Sequence, residues 1–291
     1  MHFIDSHCHL SSPQFKQDWK GVVVQAKNAG VFTVINVGSD LTDSEWGRDQ
    51  AEQTDGLFAT AGIHPESLAH VPQDWIDNLR RLVGSSKKIV AIGEIGLDYT
   101  LDPAIASNEK QINLLKPQLE LAAERHLPTV LHVRDQKDAS DCFNDLLNIL
   151  EQLTTSQTAV PKSTDNQELI TENIFAPGVF HCWTGTPEQA QQVLDLGFYI
   201  SFSGILTYPT AGHILDAAKI VPLNRLLIET DAPYLVPEPQ RTLFRRQKIA
   251  SDNQPSYVTM TAEKLALVRG QTLEQIAQAT THNARQLFNL P

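Results

Sequence analysis

Short apolar and β-branched runs alternate along this chain with longer segments in which apolar residues recur every three or four positions. The runs are Phe3–His7, Val31–Gly38, Leu57–His64, Ile89–Ile95, Thr129–Arg134, Val179–Trp183, Phe198–Ser203 and Leu226–Thr230. Each is short for a helix and rich in Val, Ile, Leu or Phe, so each predicts a buried strand. Helical patterning is clearest over Asn108–Arg125, Asp135–Leu153, Pro187–Leu196 and Thr210–Ile220, and two further helices are expected within Ser256–Leu290. Alternating strands and helices predict parallel strands with crossover helices, and eight such units close into a barrel. No Gly-rich phosphate loop follows the first strand, which disfavours an open doubly wound sheet. The expected fold class is α/β, a (β/α)8 barrel in which residues 1–291 form one domain.

Two segments interrupt this rhythm. Residues 154–173 are polar and Ser/Thr-rich and predict an inserted surface loop. Residues 236–255 carry Pro237, Pro239 and Pro255 with a basic cluster of Arg241, Arg245, Arg246 and Lys248. This second segment follows the eighth strand, where barrel enzymes commonly place substrate loops.

Composition narrows the function classes. The formal net charge is −11, which opposes long-range association with polyanions through a broad basic surface, while leaving local phosphate capture open. No apolar run approaches the ~20 residues needed to cross a bilayer. The start of the chain lacks a basic region followed by an apolar stretch, so no secretory leader is expected. Three cysteines, Cys8, Cys142 and Cys182, cannot all pair. A reduced, cytoplasmic protein without membrane attachment is the expectation.

The chemistry concentrates at the strand ends. In Asp5-Ser6-His7-Cys8-His9 the pleat turns His7 and His9 to one side and Cys8 to the other. The two imidazoles are placed to grip a divalent ion, and Cys8 reads as a small hydrophobe facing the helices. Hydrogen-bonded structural histidines are the competing reading of that pair alone. Other strand ends carry His64, Glu94, His132, His181 and Asp231, and barrel active sites are built on that face. Buried carboxylates need compensating charge, which metal ions supply. Imidazole and carboxylate without thiolate suit hydrolytic Zn2+, Mn2+, Fe2+ or Mg2+. One catalytic zinc takes about three protein ligands. His7, His9, Glu94, His132, His181 and Asp231 exceed that need and predict two ions, with Glu94 as the bridge.

Taken together, D-S-H-C-H-L, G-I-H-P, G-E-I-G-L-D-Y, L-H-V-R, F-H-C-W-T-G and I-E-T-D-A-P-Y resemble the TatD-type metal-dependent hydrolases of the amidohydrolase superfamily, across nearly the whole chain and in order. The resemblance implies a distorted barrel, two divalent ions at its C-terminal face, and deoxyribonuclease activity of a 3′–5′ exonuclease kind on DNA. It further implies that His7, His9 and Asp231 hold one ion and His132 and His181 the other, with Glu94 between them. Asp231 would deprotonate the attacking water, and His64 would contact the scissile phosphate or leaving group. The family's frequent G-x-H-P-H reads Gly62-Ile63-His64-Pro65-Glu66 here, and its basic segment after strand eight is replaced by the longer 236–255 stretch. Both changes flank the substrate region.

Substrate contacts read less sharply. Arg134 is placed either to meet phosphate or to form a solvated ion pair. Trp183 either stacks on a base or packs against a neighbouring loop, and Tyr99 presents the same pair of choices. Thr184 is a candidate phosphate contact, and Asp98 a candidate partner to a ligating histidine. The same centre on another substrate would hydrolyse esters, amides or aminoacyl-tRNA esters. A non-catalytic scaffold is disfavoured, because every candidate ligand is present.

Overall fold

The computed structural model describes residues 1–156, 178–247 and 252–291. Eight parallel strands run in the order of the chain: β1 (Phe3–Cys8), β2 (Val31–Asn36), β3 (Leu57–Ala61), β4 (Ile89–Asp98), β5 (Thr129–Arg134), β6 (Val179–Phe180), β7 (Tyr199–Phe202) and β8 (Leu226–Ile228). The first and last strands meet through the segment after β8. Asp231 N–H donates to His7 O at 2.9 Å and His9 N–H donates to Ala232 O at 2.7 Å. The expected (β/α)8 barrel is thus the observed one. No helix among the described residues is long and apolar enough to cross a membrane.

The helices of the first half are α1 (Trp19–Asn28), α2 (Leu41–Glu52), α3 (Trp75–Val83), α4 (Pro103–Ala106) and α5 (Asn108–Arg125). Those of the second half are α6 (Asp141–Ser156), α7 (Pro187–Asp195), α8 (Gly212–Ile220), α9 (Gln240–Gln247), α10 (Val258–Arg269) and α11 (Leu273–Phe288). Their starts follow local chemistry. Thr186 with Gln189 and Thr272 with Gln275 form reciprocal caps on α7 and α11, satisfying backbone donors that the first turn cannot. α6 begins six residues later than its apolar pattern predicts. The Asp135 carboxylate accepts from Cys142 N–H and Phe143 N–H at 2.8 and 3.2 Å, so it caps the helix from outside while 136–140 loop away. At its other end α6 takes up the first residues of the predicted 154–173 insertion, whose remainder lies outside the described residues, as does Lys248. Part of the predicted loop at 236–255 is instead α9.

Side-chain parity separates two apolar layers. Phe3, Val34, Leu131, Phe180, Ile200 and Ile228 pack outward with residues of the helices. Their neighbours Ile4, Ile35, Val130, Val179, Tyr199 and Leu227 form the inner layer. Ala284, Leu287 and Phe288 of α11 join that inner layer. Thr281 Oγ1 bonds His2 O at 2.9 Å, and Asn283 Nδ2 bonds Leu226 O at 2.8 Å, so this end of α11 sits under the N-terminal mouth of the barrel. The opposite mouth is left for polar side chains.

Removing the apolar plug at the closed end is expected to cost stability without touching the open end. Phe288 is 1% exposed. Phe288→Ala should lower the unfolding free energy in a urea titration by about 3–5 kcal/mol, the usual range for emptying an aromatic site. Divalent-metal uptake by the folded fraction should not change.

Candidate metal centre

The open mouth gathers side chains from six strand ends. Near the end of β1 the register with β2 shifts between Asp5 and Cys8. Ser6 still faces inward, its Oγ donating to Ile228 O at 2.9 Å. Beyond it His7 and His9 turn into the mouth, while Cys8 joins the outer apolar layer. β4 brings Glu94, and its approach to β5 depends on Gly96: a Cβ there would sit 1.9 Å from His132 O, at φ +150°. β5 supplies His132, and the residues after β6 supply His181. The turn after β8 supplies Asp231, which adopts a left-handed φ of 55°. That conformation is uncommon for a residue with a side chain, and Asp is among the types that tolerate it best.

Glu94 is the hub. Its Oε2 lies 3.5 Å from His7 Nε2 and 3.6 Å from His9 Nε2. Its Oε1 lies 2.9 Å from His132 Nδ1 and 2.8 Å from His181 Nε2. Asp231 Oδ1 completes the first group, 3.6 Å from His7 Nε2 and 3.4 Å from His9 Nε2. Within each half, imidazole nitrogens face one another, at 3.1 Å between His7 and His9 and 3.3 Å between His132 and His181.

The donor set fits divalent cations. Two ligands each about 2.1 Å from one tetrahedral ion stand about 3.4 Å apart, the spacing seen here. Outer partners support the same reading. His9 Nδ1 lies 3.1 Å from Val37 O and His181 Nδ1 lies 3.3 Å from Glu229 Oε1, so these nitrogens carry the hydrogens. Nε2 is then the atom each ring turns to the centre, which is how ligating histidines are usually held. His132 points Nδ1 inward, and its Nε2 lies 3.6 Å from Asp98 Oδ2. His64 differs. Its Nδ1 accepts from Glu66 N–H at 3.2 Å, so the neutral ring presents an Nε2–H donor, 3.6 Å from Glu94 Oε1.

The charges answer one another. Burial raises Glu94, but His181, His64 and His7 outweigh it and hold the carboxyl well below the usual range. Burial lowers His9, but the hydrogen bond to Asp231 and the charge of Glu94 bring it up to about 9. Burial, reinforced by the neighbouring His132, pushes His64 down to about 3, which keeps it neutral.

A cavity of about 810 Å3 opens above the centre, lined among others by Lys16, Trp46, Arg134, Thr184 and Tyr234. Arg134 is exposed and reaches Asp98 at 4.0 Å. Thr184 is exposed on the cavity wall. Two expected contacts are not brought there. Trp183 is 3% exposed and packs edge-on against Phe143 and Phe180, so its faces are closed to a base. Tyr99 is 6% exposed and donates its hydroxyl to Asp145 Oδ2 at 2.6 Å. Packing, the competing reading of both rings, is the observed one. Tyr234, absent from the sequence-based set, is the aromatic at the mouth, 54% exposed with its ring centre 6.0 Å from that of His9.

Two buried carboxylates were also missed. Asp5 accepts Thr230 N–H at 2.9 Å and the Thr230 hydroxyl at 2.6 Å, clamping β1 to the turn that carries Asp231. Burial raises Asp5 to about 8, so it keeps its proton at neutral pH. Glu229 accepts Cys182 N–H at 2.7 Å beneath His181. Both residues lie inside the motifs that carry the site, and a buried acid next to a ligand position was the available signal.

The family model for TatD-related DNases matches residues 4–289. The chain belongs to that family. It is 32% identical over 98% of its length to the uncharacterized metal-dependent hydrolase YabD of Bacillus subtilis, covering 98% of that protein. It is also 32% identical to the 3′-5′ ssDNA/RNA exonuclease TatD of Pantoea ananatis, over 98% of this chain and 99% of that one. The crystal structure of the Escherichia coli TatD homolog YjjV superposes with a TM-score of 0.82 at 30% identity, over 99% of this chain and 98% of that one. The chain is accordingly a TatD-family metal-dependent hydrolase.

The Asp5 clamp makes a prediction that separates shape from charge. In Asp5→Asn the neutral amide still accepts from Thr230 N–H and offers an N–H to the hydroxyl. Its stability by chemical denaturation should stay within about 1 kcal/mol of the parent. Asp5→Ala leaves the Thr230 N–H and the Thr230 hydroxyl hydrogen buried without their acceptor, although the hydroxyl oxygen keeps Ala232 N–H, and should cost about 1–3 kcal/mol for each lost acceptor.

Proposed function

We propose that this enzyme hydrolyses phosphodiester bonds at free 3′ ends of single-stranded nucleic acid, DNA foremost, at a centre of two divalent ions. The observation that carries the reading is the division of Glu94, one oxygen to His7 and His9 and the other to His132 and His181. A carboxylate shared in this way could serve two divalent ions at once, one on each oxygen. His7, His9 and Asp231 would hold one ion and His132 and His181 the other. When bound, such ions lower the pKa of water and stabilise charge on phosphoryl oxygens. The name of the Pantoea relative and the family model support a nucleic-acid substrate.

The chain's own residues supply the rest. Asp231 stands at the mouth with its carboxylate among imidazoles, placed to take the proton of an attacking water. His64 is neutral and presents Nε2–H, so it donates to a non-bridging phosphate oxygen or to the leaving oxygen without adding a charge that would repel the ions. Arg134, Lys16 and Thr184 line the cavity on which the flanking phosphates would lie. Because the whole protein is acidic, phosphate capture rests on these local groups and the ions, and affinity for long duplexes should be modest.

The test is release of labelled nucleotides from a 3′-labelled single-stranded oligonucleotide by protein stripped with a chelator and reloaded with Mg2+, Mn2+ or Zn2+. Nucleotide release that depends on the added ion is expected. Carboxyl-ester and aminoacyl-ester substrates run alongside. Ester cleavage with no nucleotide release under any ion would overturn the nuclease reading. Asp231→Asn should fold normally and lose turnover by about three orders of magnitude or more, the scale of removing a general base that is also a ligand.

A further inference from the structure

We infer that Glu229 is a positioning residue common to both halves of the centre, holding His7 from one and His181 from the other with each Nε2 turned toward Glu94. The inference rests on the metal-centre reading and concerns the layer beneath it. His7 and His181 are stacked face to face, with ring centres 4.0 Å apart and planes 11° from parallel. Both Nε2 atoms face Glu94, at 3.5 Å for His7 and 2.8 Å for His181. Beneath His181 lies Glu229, 1% exposed, with Oε1 3.3 Å from Nδ1. The same oxygen accepts Cys182 N–H at 2.7 Å, which fixes the carboxylate plane. Its other oxygen, Oε2, finds no hydrogen-bond partner among the described residues, and neither does His7 Nδ1. One ring nitrogen each of His7 and His181 and one carboxylate oxygen of Glu229 lie within 4.8 Å of one another.

Two buried polar atoms without partners in one small cluster are costly unless they serve each other. The stacked rings present a second problem, since like partial charges at this separation repel. A single carboxylate group beneath both rings answers both. Each Nδ1 then carries its hydrogen toward Glu229, and each Nε2 lone pair is held for a cation.

An amide at this position would not be equivalent. In Glu229→Gln the amide oxygen keeps Cys182 N–H and His181 Nδ1–H, because an NH2 group there would oppose two donors. The NH2 is then left facing His7 Nδ1. It favours the His7 tautomer with hydrogen on Nε2, which cannot ligate through that atom. The loss should fall on the His7, His9 and Asp231 half.

Titration of stripped protein with Mn2+, followed by electron paramagnetic resonance, reads this directly. Wild-type protein should take up two ions and show the signal of a spin-coupled pair. Glu229→Gln should bind its second ion 10–100-fold more weakly and show an isolated-ion spectrum, the usual cost of removing a partner behind a ligating histidine. Uptake of two ions by the variant with wild-type affinity and a coupled signal would overturn the inference while leaving the centre standing. Uptake of fewer than two ions by the wild type would overturn the reading of the centre, and this inference with it. Should the variant not fold, histidine-selective 15N spectra of the Zn2+-loaded wild type decide the matter. Slowly exchanging Nδ1 protons are expected on both His7 and His181, and a rapidly exchanging His7 proton would overturn the inference.

Discussion

Everything at the open end of this barrel depends on one buried carboxylate. Glu94 is 4% exposed and meets five imidazoles from four chain segments, His7 and His9, His64, His132 and His181. An isolated carboxylate in such a place would take up a proton, because desolvation disfavours its charged form. Here the surrounding histidines win and the charge is kept. The consequence is structural as much as chemical. Each histidine needs the anion to be held at this distance, and the anion needs all of them, so the strand ends are locked in mutual register. Imidazole nitrogens 3.1–3.3 Å apart, with lone pairs facing, are tolerable only when a proton or a cation lies between them. The fold therefore creates a demand for positive charge that divalent ions meet better than protons.

The barrel makes that concentration affordable by separating its ends. α11 closes the N-terminal mouth with Leu287 and Phe288, and the inner apolar layer continues upward through Ile4, Val130 and Tyr199. Polar residues begin only above it, with Ser6, Ser201 and the Asp5–Thr230 clamp. Cooperative packing below and the Glu94 contacts above thus hold the strand ends together from both sides. This division of labour fits the general rule that barrel function sits on the C-terminal face and stability on the other.

The architecture was legible in the sequence because barrel strands are short, apolar and evenly spaced, and because pleat parity carries chemical meaning. The sides assigned to His7, Cys8 and His9 match their packing, although the register shift at Asp5–Cys8 means that alternation counted from Ile4 would have reversed all three. Convergence of the six candidate ligands was legible for the same reason: each stands in the C-terminal half of a strand or just beyond it. What was not legible depends on neighbours distant in sequence. Trp183 follows a candidate ligand directly, yet Phe143 of α6 and Phe180 claim its ring. Tyr99 lies one residue beyond β4, yet Asp145 draws its hydroxyl away. Tyr234 reads as one more residue of a turn until the left-handed Asp231 directs the chain across the mouth.

Glu229 and Asp231 show the limit most plainly. They are two residues apart, so strict alternation gives them one side and offers no reason to tell them apart. The strand ends at Ile228 and the chain turns before Asp231, which leaves Glu229 under the histidines and lifts Asp231 among them. Two acids of one motif thus flank the imidazole cluster from below and above, Glu229 at His181 and Asp231 at His7 and His9. The lower one meets Nδ1 of His181 and is closed to solvent, so it can orient a ring and cannot reach a substrate. The upper one lines the cavity and can exchange a proton with water. Their different roles follow from depth alone, and depth is set by where β8 stops pairing with β7. The clamp of Asp5 on Thr230, between the two, is what holds it in place.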